Sequence, residues 1–186
     1  MTVVAGRHRL GPERGRILVR TFRDGLAAQA GHDLTIEATR WSGELDVNDD
    51  LSPAGLDVRV DLGALVVREG SGGVKPLTDR DRREIAVTAR KVLGAGQHPE
   101  AVFAADAFKP VNGGGEISGT LTLRGQERPL RLHVSQTGAD RYHAEAQVVQ
   151  SDYGIKPYTA FLGALRVRDA VDIAVDVDLS DSGTAP

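Results

Sequence analysis

The chain has no cysteine, one methionine and one tryptophan, and aromatic residues make up only 4% of it. Without a thiol there can be no disulfide framework, zinc thiolate, iron–sulfur cluster or cysteine nucleophile. A long apolar run is also missing: nothing approaches the ~20 residues that a membrane helix needs, so no membrane insertion is expected. The apolar stretch at the N-terminus is short and precedes the basic Arg7-His8-Arg9. A secretory signal has the opposite order, with roughly 7–15 apolar residues after the basic ones. The expected location is therefore cytoplasmic, with secretion requiring a leader removed beforehand. An excess of positive charge is missing too. The formal net charge is −3, and nucleic-acid binding that is independent of sequence needs a basic surface.

What remains is an ordinary globular composition. The 186 residues are 40% hydrophobic and 26% charged, enough for one domain with a real core. No repeat or linker interrupts residues 7–180, which are read as a single domain. Residues 181–186 are small and polar and read as a fraying tail.

Period-two alternation runs through the chain. Leu56, Val58, Val60 and Leu62 share one face, with Asp57, Arg59 and Asp61 on the other. Val171, Ile173, Val175, Val177 and Leu179 alternate in the same way with Asp172, Ala174, Asp176 and Asp178. Side chains alternate across a strand, so each segment has a dry face and a wet one, the pattern of antiparallel sheet. Further strands are expected at 16–22, 34–38, 40–47, 101–108, 116–124, 129–135 and 141–150. Gly, Asn, Asp and Pro clusters separate several of them. About eight or nine strands suggest a sandwich or a barrel.

Residues 79–93 break the pattern. Ile85, Ala89, Val92 and Leu93 form a helical stripe, with Thr78 as N-cap and Gly94 as the stop. Residues 153–163 hold three of the eight aromatics, Tyr153, Tyr158 and Phe161, around Gly154 and Pro157. This segment reads as a non-strand lid near a barrel end or as a cap on the core.

Catalytic chemistry finds little footing. Gly113-Gly114-Gly115 lacks the Lys-Ser/Thr of a phosphate loop, and no serine sits in a nucleophile elbow. His32 and Asp33 are adjacent, but consecutive strand residues face opposite ways, so a turn role is favoured. His133 and His143 both face outward. A five-residue loop at 136–140 would set them side by side as a two-ligand surface metal site. Arg80, Arg82, Arg83, Arg90 and Lys91 alternate with acids and read as a solvated helix face or as a cationic rim.

Residues 80–103, 117–134 and 150–155, followed by the closing strand at 171–179, in this order resemble the YceI-like family of lipocalin-like proteins. The nearest is 117–134, Ile-Ser-Gly-Thr-Leu-Thr-Leu-Arg-Gly-Gln-Glu-Arg-Pro-Leu-Arg-Leu-His-Val, similar to the family's Gly-x-Leu-Thr-(Ile/Leu)-x-Gly hairpin with a following Pro-(Leu/Val). Arg80 to Phe103 resembles the family's charged helix leading through Pro99 to an aromatic strand. Gln150-Ser-Asp-Tyr-Gly-Ile155 resembles its Arg-x-(Asp/Glu)-(Phe/Trp)-Gly-(Ile/Met), with Gln in place of the Arg. The family's run of Phe before the Pro is replaced by Leu93-Gly94-Ala95-Gly96.

The resemblance implies a mainly β protein: an antiparallel lipocalin-like β-barrel with one packed helix. It also implies an apolar lumen that holds a long-chain amphiphile such as an isoprenoid, a quinone or a fatty-acyl lipid. The residues themselves give weaker support, in small positions expected to face inward: Gly43, Ala104, Gly119, Ala144 and Ala146. The expected function is a carrier or sequestering protein, not an enzyme, with no cofactor and no metal. Its lumen would be lined by Val58, Val60, Phe103, Leu121, Leu132, Val148, Tyr153, Tyr158, Phe161, Ile173 and Val175. Lys156, Arg90 and Lys91 are headgroup candidates. The alternatives are a filled barrel acting as an interaction module, for which a homodimer is one form, and a weak metal-binding protein.

Overall fold

A computed structural model describes residues 3–180; the tail expected at 181–186 lies outside the described residues. Fourteen strands and one α-helix follow in chain order. They are β1 Gly6–Leu10, β2 Gly15–Thr21, β3 Arg23–Asp24, β4 His32–Ala38, β5 Trp41–Val47, β6 Pro53–Asp61, β7 Leu65–Gly72, α1 Asp79–Leu93, β8 Glu100–Val111, β9 Gly114–Leu123, β10 Gln126–Gln136, β11 Arg141–Val149, β12 Thr159–Ala160, β13 Leu165–Val167 and β14 Ala170–Asp178.

Eleven strands make one curled antiparallel sheet in the order β1-β5-β6-β8-β9-β10-β11-β14-β2-β4-β7. The three short strands form a second sheet, β12-β13-β3. Because β1 and β7 are edges, the large sheet is a half-barrel. Helix α1 packs along edge strand β7, a common way to cover a row of unpaired backbone groups. No helix among the described residues is long and apolar enough to cross a membrane.

The helix has the bounds its sequence signals. The Thr78 hydroxyl accepts from the Asp81 N–H at 3.2 Å, and the Asp81 carboxylate accepts from the Thr78 N–H at 2.8 Å, a reciprocal capping box. Gly94 closes the helix in the left-handed region at φ 68°, where a Cβ would be costly.

Two strands of the large sheet, β1 and β7, were hidden in the sequence, as were the three short strands of the second sheet. In β1 the inward positions are His8 and Leu10, and a buried histidine conceals the alternation. Its Nε2 lies 2.6 Å from the Val4 carbonyl. In β7, Leu65 and Val67 are buried, but the strand ends in Glu-Gly-Ser-Gly, which reads as a loop.

The β10–β11 register differs from the expected one. His133 lies opposite Glu145, and His143 lies opposite Ser135. β10 continues to Gln136, so the pairing slides by two residues and the histidines are not side by side. Among the described residues no group of three or more His, Asp or Glu side chains is arranged to hold a metal ion.

His143 instead joins an acidic cluster on the outer face. Its Nδ1 is 2.7 Å from Asp176 Oδ1 and its Nε2 is 3.1 Å from Glu145 Oε1. Asp176 also faces Arg16, at 4.0 Å. The hydrogen bonds to Asp176 and Glu145 raise the imidazole pKa above its ordinary 6.5. A raised folded-state value stabilises fully below the unfolded value, and that stabilisation is lost as pH rises through the folded one. The urea midpoint should therefore fall as pH rises above about 6.5, and His143→Gln should flatten that slope. An equal slope in the variant would assign the pH dependence to other groups.

Candidate functional site: the barrel lumen

The concave face of the large sheet and one stripe of α1 enclose a cavity of about 1490 Å³. Its wall follows directly from strand alternation. β14 contributes Val171, Ile173, Val175 and Val177, β6 contributes Leu56, Val58 and Val60, and β10 contributes Leu130, Leu132 and Val134. On the helix, Ile85, Ala89, Val92 and Leu93 face the cavity, the stripe read from the sequence. Eleven curled strands enclose more space than the eight or nine expected, since barrel diameter grows with strand number.

Nine of the expected lining residues are at the wall: Val58, Val60, Phe103, Leu121, Leu132, Val148, Tyr158, Ile173 and Val175. Two are not. Tyr153 is buried in a cluster with Leu62, Leu123, Val148, Ile155 and Val171, which line the cavity while Tyr153 itself does not. The turn of 3-10 helix at Gln150–Tyr153 directs it into that cluster, and burial raises its phenol pKa. Ile155 takes the wall position. Phe161 is 64% exposed and does not line the lumen.

None of the headgroup candidates reaches the wall. Helix residues rotate by ~100° each, so the stripe at 85, 89, 92 and 93 turns 90 and 91 away from the lumen. Arg90 Nη1 donates to the Gly63 carbonyl at 3.1 Å and ties the helix to the β6–β7 turn. Lys91 and Lys156 are exposed.

The small positions divide as well. Ala144 lines the cavity. Ala146 is buried, while Ala104 is exposed because its neighbour Phe103 faces in.

Polar groups gather at the two ends of the lumen. At one end are Asp50, Ser52, Lys109, Glu116 and Gln136, around the β5–β6, β8–β9 and β10–β11 turns. At the other are Arg23, His32, Lys75, Gln150 and Arg166, with Asp81 and Glu84 on the adjoining helix. His32 Nε2 lies 2.8 Å from the Lys75 carbonyl. Asp33 accepts from the Arg23 N–H at 2.8 Å, so adjacent His32 and Asp33 serve different contacts. Gln150, where the family has Arg, donates to the Arg168 carbonyl at 2.9 Å and is buried. The end cations were missed because Lys75 lies in a loop and Arg23 and Arg166 lie in strands too short to show a periodicity. Their only signal is charge.

This architecture is that of a lipocalin-like protein: a curled antiparallel sheet and a helix around an apolar lumen. A family model described as the YceI-like domain matches residues 21–179, and the chain belongs to that family. Among curated proteins, none matches the chain in sequence. Solved structures share the fold. BcnA from Burkholderia cenocepacia has a TM-score of 0.59 at 14% identity, covering 90% of this chain and 98% of that one. A polyisoprenoid binding domain from Saccharophagus degradans, implicated in plant cell wall breakdown, has a TM-score of 0.57 at 12% identity, covering 93% and 97%. The YCEI protein of Campylobacter jejuni has a TM-score of 0.55 at 16% identity, covering 77% and 82%.

Proposed function

We propose that this protein binds one long-chain amphiphile in its lumen, as a carrier or sequestering protein and not as an enzyme. One observation carries the reading: the interior is a continuous apolar cavity of about 1490 Å³ where a filled barrel would have packed side chains. Ordinary small-molecule sites run to about 1,000 Å³, so the ligand is large. Along β14 the wall extends from Val171 to Leu179, about 27 Å at ~3.4 Å per residue. Half the ~30 Å hydrocarbon core of a bilayer is about 15 Å, the depth one lipid tail normally spans. The lumen thus suits a chain longer than a common acyl tail. A polyisoprenoid fits that length and matches what the Saccharophagus domain is named for binding.

Native mass spectrometry of protein purified without detergent, followed by organic extraction, tests this. The expected result is a near-stoichiometric adduct that extraction identifies as a long-chain lipid. Apo protein that also fails to take up a long-chain fluorescent probe would overturn the reading.

A further inference from the structure

The basic end of the lumen carries an apolar tip that the fold does not cover. Leu26 and Leu162 are fully exposed and Phe161 is 64% exposed. The chain brings them together: β13 pairs with β3, and the Ala27 N–H donates to the Ala164 carbonyl at 2.9 Å. Phe161 and Leu162 hold positive φ, 50° and 56°. That conformation is costly for residues with a Cβ, and here it presents two large apolar side chains to solvent. Val74, 80% exposed, lies on the facing lip of the same opening.

The segment that bears the tip differs in charge from the whole protein, with the acids Asp81 and Glu84 of α1 at the same end of the lumen. The formal net charge is −3, yet residues 153–168 contain Lys156, Arg166 and Arg168 and no carboxylate. Nearby Asp24 and Asp33 are paired with Arg166 and Arg23 at 3.0 and 3.9 Å. Lys75 and Lys156 make no ion pair among the described residues, while Arg168 lies over the Phe22 ring at 5.8 Å from its centre. Asp169, at the end of this segment, accepts from Ser151 Oγ at 2.5 Å.

We infer that this tip docks the lumen mouth on an anionic phospholipid bilayer. Leu26, Phe161 and Leu162 would enter the headgroup layer, and the unpaired cations would sit against lipid phosphates, the two contributions that interfacial binding combines. A hydrophobic chain could then pass between bilayer and lumen without crossing water. The inference rests on the amphiphile-binding reading.

Co-sedimentation with phosphatidylcholine/phosphatidylglycerol vesicles tests it, with phosphatidylcholine vesicles as the comparison. The wild-type protein should sediment with the anionic vesicles, less so as salt rises. The triple variant L26S/F161S/L162S should bind them about tenfold or more weakly, and Lys156→Glu about fivefold or more weakly. These residues are exposed, so both variants should keep the wild-type melting temperature. Uptake of a long-chain fluorescent probe, measured without vesicles, should be unchanged in both. Equal vesicle binding by wild type and triple variant, or none by the wild type, overturns the docking inference even where probe uptake persists. A wild-type dimer that the triple variant dissolves would assign the tip to a second copy of the chain and likewise overturn it. Loss of probe uptake in the wild type would instead defeat the lumen reading.

Discussion

An Ala144→Trp variant is expected to bind a long-chain fluorescent probe roughly 100-fold more weakly than the wild type while keeping its fold. Ala144 lies opposite Val134 on β10 and Val175 on β14, and all three line the lumen. An indole there points into open space, so it displaces ligand without compressing neighbours. Excluding about four methylenes at ~0.8 kcal/mol each removes about 3 kcal/mol, or roughly 100-fold in affinity. Gln147 faces outward on the same strand and bonds Asp172 at 3.2 Å. Gln147→Trp should leave probe binding unchanged and so controls for added bulk. Wild-type affinity in a folded Ala144→Trp protein would place the ligand outside the lumen.

The second large effect concerns stability. Gly119 sits in β9 between Ala105 on β8 and Leu130 on β10. A Cβ at this position would lie 2.3 Å from the Ala104 carbonyl oxygen and 2.7 Å from the Ala105 Cβ. The carbonyl is backbone and the Ala105 Cβ moves only with its backbone, in a strand paired on two sides next to the bulge where the β8–β9 register shifts between Ala105 and Ala107. Gly119→Val must therefore move a strand or break pairing, at a cost of about 3 kcal/mol. For a domain of this size that lowers Tm by roughly 10 °C. Urea unfolding would show a lower midpoint. A midpoint within the spread of ordinary surface substitutions, about 0.5 kcal/mol, would show that the bulge absorbs the side chain. The sequence suggests an inward role for Gly119. The structure gives it another: it lets two strands approach.

Membership of the YceI-like family was legible because its segments fall where local physics is strong. Residues 117–134 are the β9–β10 hairpin, whose tip places Arg124 and Gly125 at φ 52° and 72°. Two positive φ values suit the tight turns that match strand twist, and glycine is favoured there. The helix was legible to its caps, since Thr78, Asp81 and Gly94 act within one turn of chain. Most lumen positions were legible because alternation assigns every strand residue to a face. Phe161 was misassigned because residues outside strands have no alternation to place them, and Tyr153 because a turn of 3-10 helix redirects it.

Local periodicity therefore determined which side chains face inward and where the helix begins and ends. It could not determine whether the inward faces meet. That depends on eleven strands, on the curl of their sheet and on α1 lying along β7, all of which join residues far apart in sequence. Register was equally out of reach. A slide of two residues keeps every side chain on its face, so the sequence pattern cannot detect it, yet it decides that His143 lies opposite Ser135 and not His133. The open lumen and its basic, apolar-tipped mouth are likewise products of tertiary structure, because only the folded sheet brings residues 23–31, 74–77 and 150–167 to one end of the barrel.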